Sequence, residues 1–362
     1  MTASRECTRA LRAALDVVLS KAAMPIVLAL WIGMSASGAA SAREITDMAG
    51  RKVAVPDHIE RVWGSAPPLS VLLTIVAPEK MTGVNLVFAP EARRYLPAGV
   101  VELPVLGGVY GIGREANPEE VLNNRPQVVL AWKSTVVDPD MVLGYFAKLG
   151  IPVVFVALET LDDWPAAIRF TAELLGSTPS MAAQGDYIVN ALARVREAVG
   201  PIAEKDRIRV YYAEGPAGLA TDCNRSFHTE AIELAGGYNI YRCEPRSHVG
   251  MESISLEQII AGDPQVILAQ DPRFAAAVLK DPRWQVLRAV KDGRVYTVPQ
   301  WPMNWLDRPP SAMRALGMQW LAQLFYPHRY SLDLRRETRD FYRMFLHVSI
   351  SDSDLDALVP PH

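Results

Sequence analysis

Short apolar runs and amphipathic segments alternate along most of this chain. The apolar runs predict strands at 61–64, 82–87, 128–132 and 152–156, because each is too short and too β-branched for a helix. Helical spacing predicts helices at 71–77, 118–123, 139–149 and 163–175. Gly150 and Gly176 follow the last two, where a glycine ends a helix in the left-handed conformation. The alternation resumes at 207. Strands are predicted at 209–213, 266–269 and 294–298, and helices at 228–235, 256–261, 283–289 and 311–324. Further helical turns follow from 334 to 358. This order predicts an α/β protein with mainly parallel sheets covered on both faces.

Between the two series lies one longer periodic segment, 179–199. Its apolar stripe is Met181, Ile188, Leu192, Val195 and Val199, and it predicts a helix of about 30 Å joining two halves. The halves share a repeated stretch. Residues 119–131 and 257–269 align at an offset of 138, with Glu, Pro, Gln, Val, Leu and Ala recurring in register. Each copy reads as a short helix, a Pro-marked turn and a buried strand, so two like lobes are expected. The predicted divisions are a leader at 1–42, an N-terminal lobe at 43–176, a linking helix at 177–200 and a C-terminal lobe at 201–362.

The leader has Arg5, Arg9, Arg12 and Lys21, then an uncharged apolar run at 25–34, then Ala40-Ser41-Ala42. That is the pattern of a cleavable secretory signal, and the run is too short to span a bilayer. The mature chain is expected to start at Arg43 in the periplasm, with 33 basic against 38 acidic residues and a net charge of −5. There is no basic excess for nucleic acid or an anionic membrane surface. Processing removes Cys7 and leaves Cys223 and Cys243. In an oxidising compartment an even pair predicts a disulfide, worth roughly 3 kcal/mol for a loop of about 20 residues. The alternative joins them with His228 and His248 in a zinc site, on a spacing that is not a common zinc pattern.

The opening Ile45-Thr46-Asp47-Met48-Ala49-Gly50-Arg51-Lys52-Val53-Ala54-Val55-Pro56 resembles the first hairpin of periplasmic binding proteins for ferric siderophores, haem and cobalamin. The repeated Glu units, and 228–240 with its Leu234-Ala235-Gly236-Gly237-Tyr238-Asn239 run, resemble the same family. The likeness covers essentially 44–348. It implies two Rossmann-like α/β lobes joined by one rigid helix, a ligand in the cleft between them, and delivery to the permease of an ABC importer. It also implies that Glu119 and Glu257, one per lobe, dock onto arginines of the transporter.

Open α/β sheets bind ligands beyond the carboxyl ends of their strands. That rule selects the loops 65–70, 110–114, 132–133, 214–228 and 301–308. Their aromatic members, Tyr110, Trp132, Trp301 and Trp305, suit a flat or organic ligand; Ser65 and Glu214 add polar groups. Arg114, Lys133, Arg225, Arg246 and Arg308 supply charge for an anionic chelate. His228 and His248 are candidate ligands for nickel, iron or cobalt, with Met251 and Met303 as soft neighbours. His58, His328, His347 and His362 read as surface positions.

The expected function is a monomeric, periplasmic solute-binding protein, without intrinsic cofactor, that captures a metal chelate: a ferric siderophore, a cobalamin-like compound or a nickel complex. The alternatives are a haem receptor of the same fold and an extracytoplasmic metal chaperone or enzyme. No Gly-x-Ser-x-Gly elbow, His-Glu-x-x-His or phosphate loop occurs to support an enzyme.

Overall fold

The computed structural model describes residues 42–110, 113–135, 137–177, 181–245 and 249–359. Residues 1–41 of the expected signal segment, Arg246, His248 and His362 lie outside them. Strands Ala42–Thr46 and Lys52–Pro56 form the opening two-stranded sheet. Asp47 fixes the turn by accepting from the Ala49 and Arg51 backbone N–H groups at 3.0 and 2.9 Å.

Two parallel sheets follow. The first runs Val62–Gly64, Val128–Lys133, Val153–Ala157, with Val62 opposite Val128 and Val129 opposite Val153. The second runs Val295–Thr297, Val266–Ala269, Ile208–Ala213, Gly237–Asn239, with Val210 opposite Val266. Val128–Lys133 and Val266–Ala269 are apolar and buried throughout, apart from Lys133 at one end, and Ile208–Ala213 is buried from Val210 onward, as parallel strands covered on both faces require.

The expected strand at 82–87 is not regular. Val84 makes one isolated bridge, to Val105, and the buried Asn85 side chain donates to Gly64 O at 2.9 Å and Gly107 O at 2.5 Å. A side-chain amide here satisfies the backbone that a strand ladder would otherwise pair. The helix expected at 71–77 starts earlier, Pro67–Val76, with two prolines in its first turn, where a missing N–H costs nothing. The helix expected at 283–289 shrinks to Arg288–Lys291, and Pro272–Val278 is a helix that the periodicity did not suggest.

The linking helix is Ala182–Val199, about 27 Å long. Ile188, Ala191, Leu192, Val195 and Val199 are buried along one stripe. It packs on Trp164–Leu175 from the first series and on Arg314–Phe325 from the second. One continuous apolar core carries side chains from both series, including Leu72, Trp164, Val195, Leu268 and Trp320.

The repeated unit is alike in detail. Helix Pro118–Asn123 is capped by Asn117 and helix Leu256–Gly262 by Ser255. Each ends at a non-glycine residue with positive φ at the same register, Arg125 at 46° and Asp263 at 38°. Gln127 and Gln265 then accept from the backbone of the preceding parallel strand, through Arg61 N–H at 3.1 Å and Arg209 N–H at 2.9 Å. The guanidinium of Arg61 caps Arg125 O at 3.1 Å and Asn124 O, and that of Arg209 caps Gly262 O at 2.8 Å. One device is built twice.

Candidate functional site

The loops beyond the strand ends meet around two adjoining cavities of about 200 and 240 Å³ that share Pro67, Leu86, Arg308 and Pro309. The larger has an aromatic wall. Tyr110 stacks on Trp132 with centroids 6.3 Å apart, and Trp132 meets the edge of Phe227 at 5.5 Å. The Tyr110 hydroxyl accepts the Trp132 backbone N–H at 2.7 Å, which locks the pair. Burial pushes that hydroxyl's pKa well above its ordinary value, so it stays protonated. The Trp132 indole N–H is buried without a hydrogen-bond partner among the described residues.

At the shared wall lies a buried ionic cluster centred on Arg308. Its guanidinium donates to Glu214 Oε1 at 2.6 and 2.8 Å, to Asp222 Oδ2 at 2.9 Å and to Val249 O at 2.9 Å. Asp307 Oδ2 sits 3.1 Å from Arg308 Nε and 3.3 Å from His228 Nδ1, while its Oδ1 accepts the Tyr212 hydroxyl at 2.7 Å. Gly250 presses its backbone on the same cluster: a Cβ there, at φ +67°, would lie 2.0 Å from Asp222 Oδ1. Burial, then the nearby Asp307 and Asp222 charges, push Glu214 up to about 10 against the pull of Arg308. For Arg308 burial opposes the charge, but Asp307 and Glu214 outweigh it and hold the guanidinium more firmly protonated than usual. Arg308, the only guanidinium lining the cavities among the described residues, is therefore already neutralised by carboxylates.

Of the sequence-predicted residues, Tyr110, Trp132, His228 and Arg308 line these cavities, and Met303 lines the smaller. Glu214 lies behind Arg308. The other predicted residues that the structure describes are not brought there. Ser65 is fully buried, with its backbone tied to Leu130 O and Val109 N–H. Arg114 pairs with Glu120 at 2.5 Å and Val105 O at 2.9 Å, Arg225 pairs with Glu244, and Lys133 is exposed at its strand end. Met251 is exposed. Trp305 corrects the expectation most clearly. Its proline-rich segment is irregular, as expected, but the indole is fully buried and its N–H faces Trp301 O and the Tyr342 hydroxyl, each at 3.4 Å. Helix Arg314–Phe325 closes on it so tightly that a Cβ at Gly317 would lie 2.2 Å from Trp305 O. Trp301 packs on the same core and gives its carbonyl to the Tyr342 hydroxyl. Irregular backbone does not imply exposed side chains.

Cys223 and Cys243 form the expected disulfide, which excludes them as zinc thiolates. Asp222, His228 and Asp307 bring ligand atoms within 4.8 Å of one another, all buried. Phe227 and Asp222 lie in the selected loop 214–228 without being singled out as site residues, and Asp307, in the loop 301–308, was legible only as an internal partner for Arg308. His58, His328 and His347 are exposed. Glu119 and Glu257 are exposed in the first turns of the two matched helices.

A family profile described as a periplasmic binding protein matches residues 71–301, and the chain belongs to that family, whose members serve ABC importers. A solved ABC transporter solute-binding protein from Sulfurospirillum deleyianum is 35% identical, with a TM-score of 0.83 over 88% of this chain and 99% of that one. The molybdate-binding protein of Haemophilus influenzae is 28% identical over 90% of this chain and 96% of its own length. A vitamin B12-binding protein of Pectobacterium carotovorum is 27% identical over 58% of this chain and 71% of its own.

Proposed function

We propose that this chain is a periplasmic receptor that captures a compact metal complex between two lobes, 43–176 and 201–362, and hands it to an ABC importer through Glu119 and Glu257. On this reading residues 1–42 are a cleaved signal. The observation that carries the ligand class is the wall itself. Tyr110, Trp132 and Phe227 offer apolar and π surface, while Arg308 has no charge to spare for a bare anion. Such a wall suits an organic chelator around iron, cobalt or nickel.

A second reading is capture of a bare oxyanion. It is favoured by the 28% identity to the molybdate-binding relative across nine-tenths of this chain. Calorimetric titration of the mature protein with iron, cobalt and nickel chelates and with sodium molybdate separates the two. Saturable heat from a chelate, with none from molybdate, supports the metal-complex reading. Heat from molybdate alone replaces it with the oxyanion.

A further inference from the structure

The two docking helices share more than a glutamate. Glu119 and Glu257 have no ion-pair partner among the described residues, whereas adjacent Glu120 is paired with Arg114 at 2.5 Å. Three residues after each unpaired carboxylate stands an exposed aliphatic side chain: Leu122, 44% exposed, and Ile260, 41% exposed. They sit at the same register of the repeat, and the residue before each, Val121 or Ile259, is fully buried and anchors its helix. Exposed apolar residues scattered singly are ordinary. Two that recur at equivalent positions, one helical turn from an unpaired carboxylate, form a repeated surface.

Resting on the docking reading above, we infer that Leu122 and Ile260 are apolar anchors of the importer interface, each entering an apolar depression beside the cation that receives Glu119 or Glu257. The surface selects a protein partner offering the same cation-plus-apolar site twice. A carboxylate contact weakens as salt rises, and an aliphatic contact does not. The two contributions are therefore separable.

The experiment uses the mature protein and a reconstituted inner-membrane importer whose ATPase it stimulates, at low salt and at about 0.5 M salt, where screening is strong. The concentration for half-maximal stimulation is compared for wild type, Leu122→Ser/Ile260→Ser and Glu119→Gln/Glu257→Gln. The aliphatic double variant is expected to need about tenfold more protein at both salts, with unchanged thermal unfolding. The glutamate variant is expected to lose affinity mainly at low salt. If the aliphatic variant matches wild type while the glutamate variant weakens, the anchor assignment is overturned and docking stands. If both variants match wild type, the docking reading fails with it.

Discussion

Arg308 is the residue on which the site's architecture turns. One guanidinium holds Glu214, Asp222, Asp307 and the Val249 carbonyl that edges the larger cavity. Its side chain is only 17% exposed, so removing it leaves buried carboxylates without a countercharge. Arg308→Ala should therefore destabilise the fold by about 3–5 kcal/mol, as read by chemical denaturation; a loss below about 1 kcal/mol would show that solvent replaces the guanidinium. Glu214 gives a pH signature. Its folded pKa, about 10, lies above its ordinary 4.5, so the folded state keeps a proton that the unfolded chain releases. Its contribution is full below about pH 4.5 and is lost as pH rises toward 10. The melting temperature of wild type should fall across that window more steeply than that of Glu214→Gln; parallel profiles would place the titration elsewhere. None of this cluster was legible as a cluster. Glu214, Asp222 and Arg308 were visible as single charges or not at all, because 94 residues of chain separate partners that only the parallel sheet brings together.

The repeated helix–turn–strand element is where sequence and structure agree most closely. Its Pro, Gln and apolar positions each have a fixed duty: Pro126 and Pro264 leave the helix, Gln127 and Gln265 bind the neighbouring strand, and the Val-rich strands enter the sheets. Local pattern determines such an element, so it could be read without the fold. Its arginine clamps could not. Arg61 and Arg209 lie outside the aligned stretch at a different offset, and their partners are carbonyls 64 and 53 residues away. Arg209→Ala removes the bonds to Gly262 O and the stacking over Tyr238 at 5.2 Å. It should cost about 1–2 kcal/mol and raise hydrogen exchange locally in Leu256–Gly262. Unchanged exchange there would mean that Ser255 and Asp263 hold the helix without it. The irregular elements were read least well. Segment 82–87 is apolar but pinned by Asn85, and Trp305 is hidden in a proline-rich stretch whose composition suggested exposure.

At the scale of the whole molecule, the linking helix packs on helices from both series, and one core continues through them. That architecture favours a preformed cavity over a wide hinge, with the two matched glutamates presented as a fixed pair. Glu119→Lys/Glu257→Lys should abolish import in a transport assay while leaving ligand affinity within about twofold, because both carboxylates are exposed and neither touches the cavity. A parallel loss of affinity would reassign them to the ligand.

The claim that the Tyr110–Trp132–Phe227 wall receives a metal complex is tested most directly by native mass spectrometry with metal analysis. Wild type and Trp132→Ala would be purified side by side from the periplasm of cells grown with mixed metals. The account predicts a bound metal-containing mass on wild type that is depleted on Trp132→Ala. A bound metal complex retained equally by both proteins, or an oxyanion in its place, would contradict it.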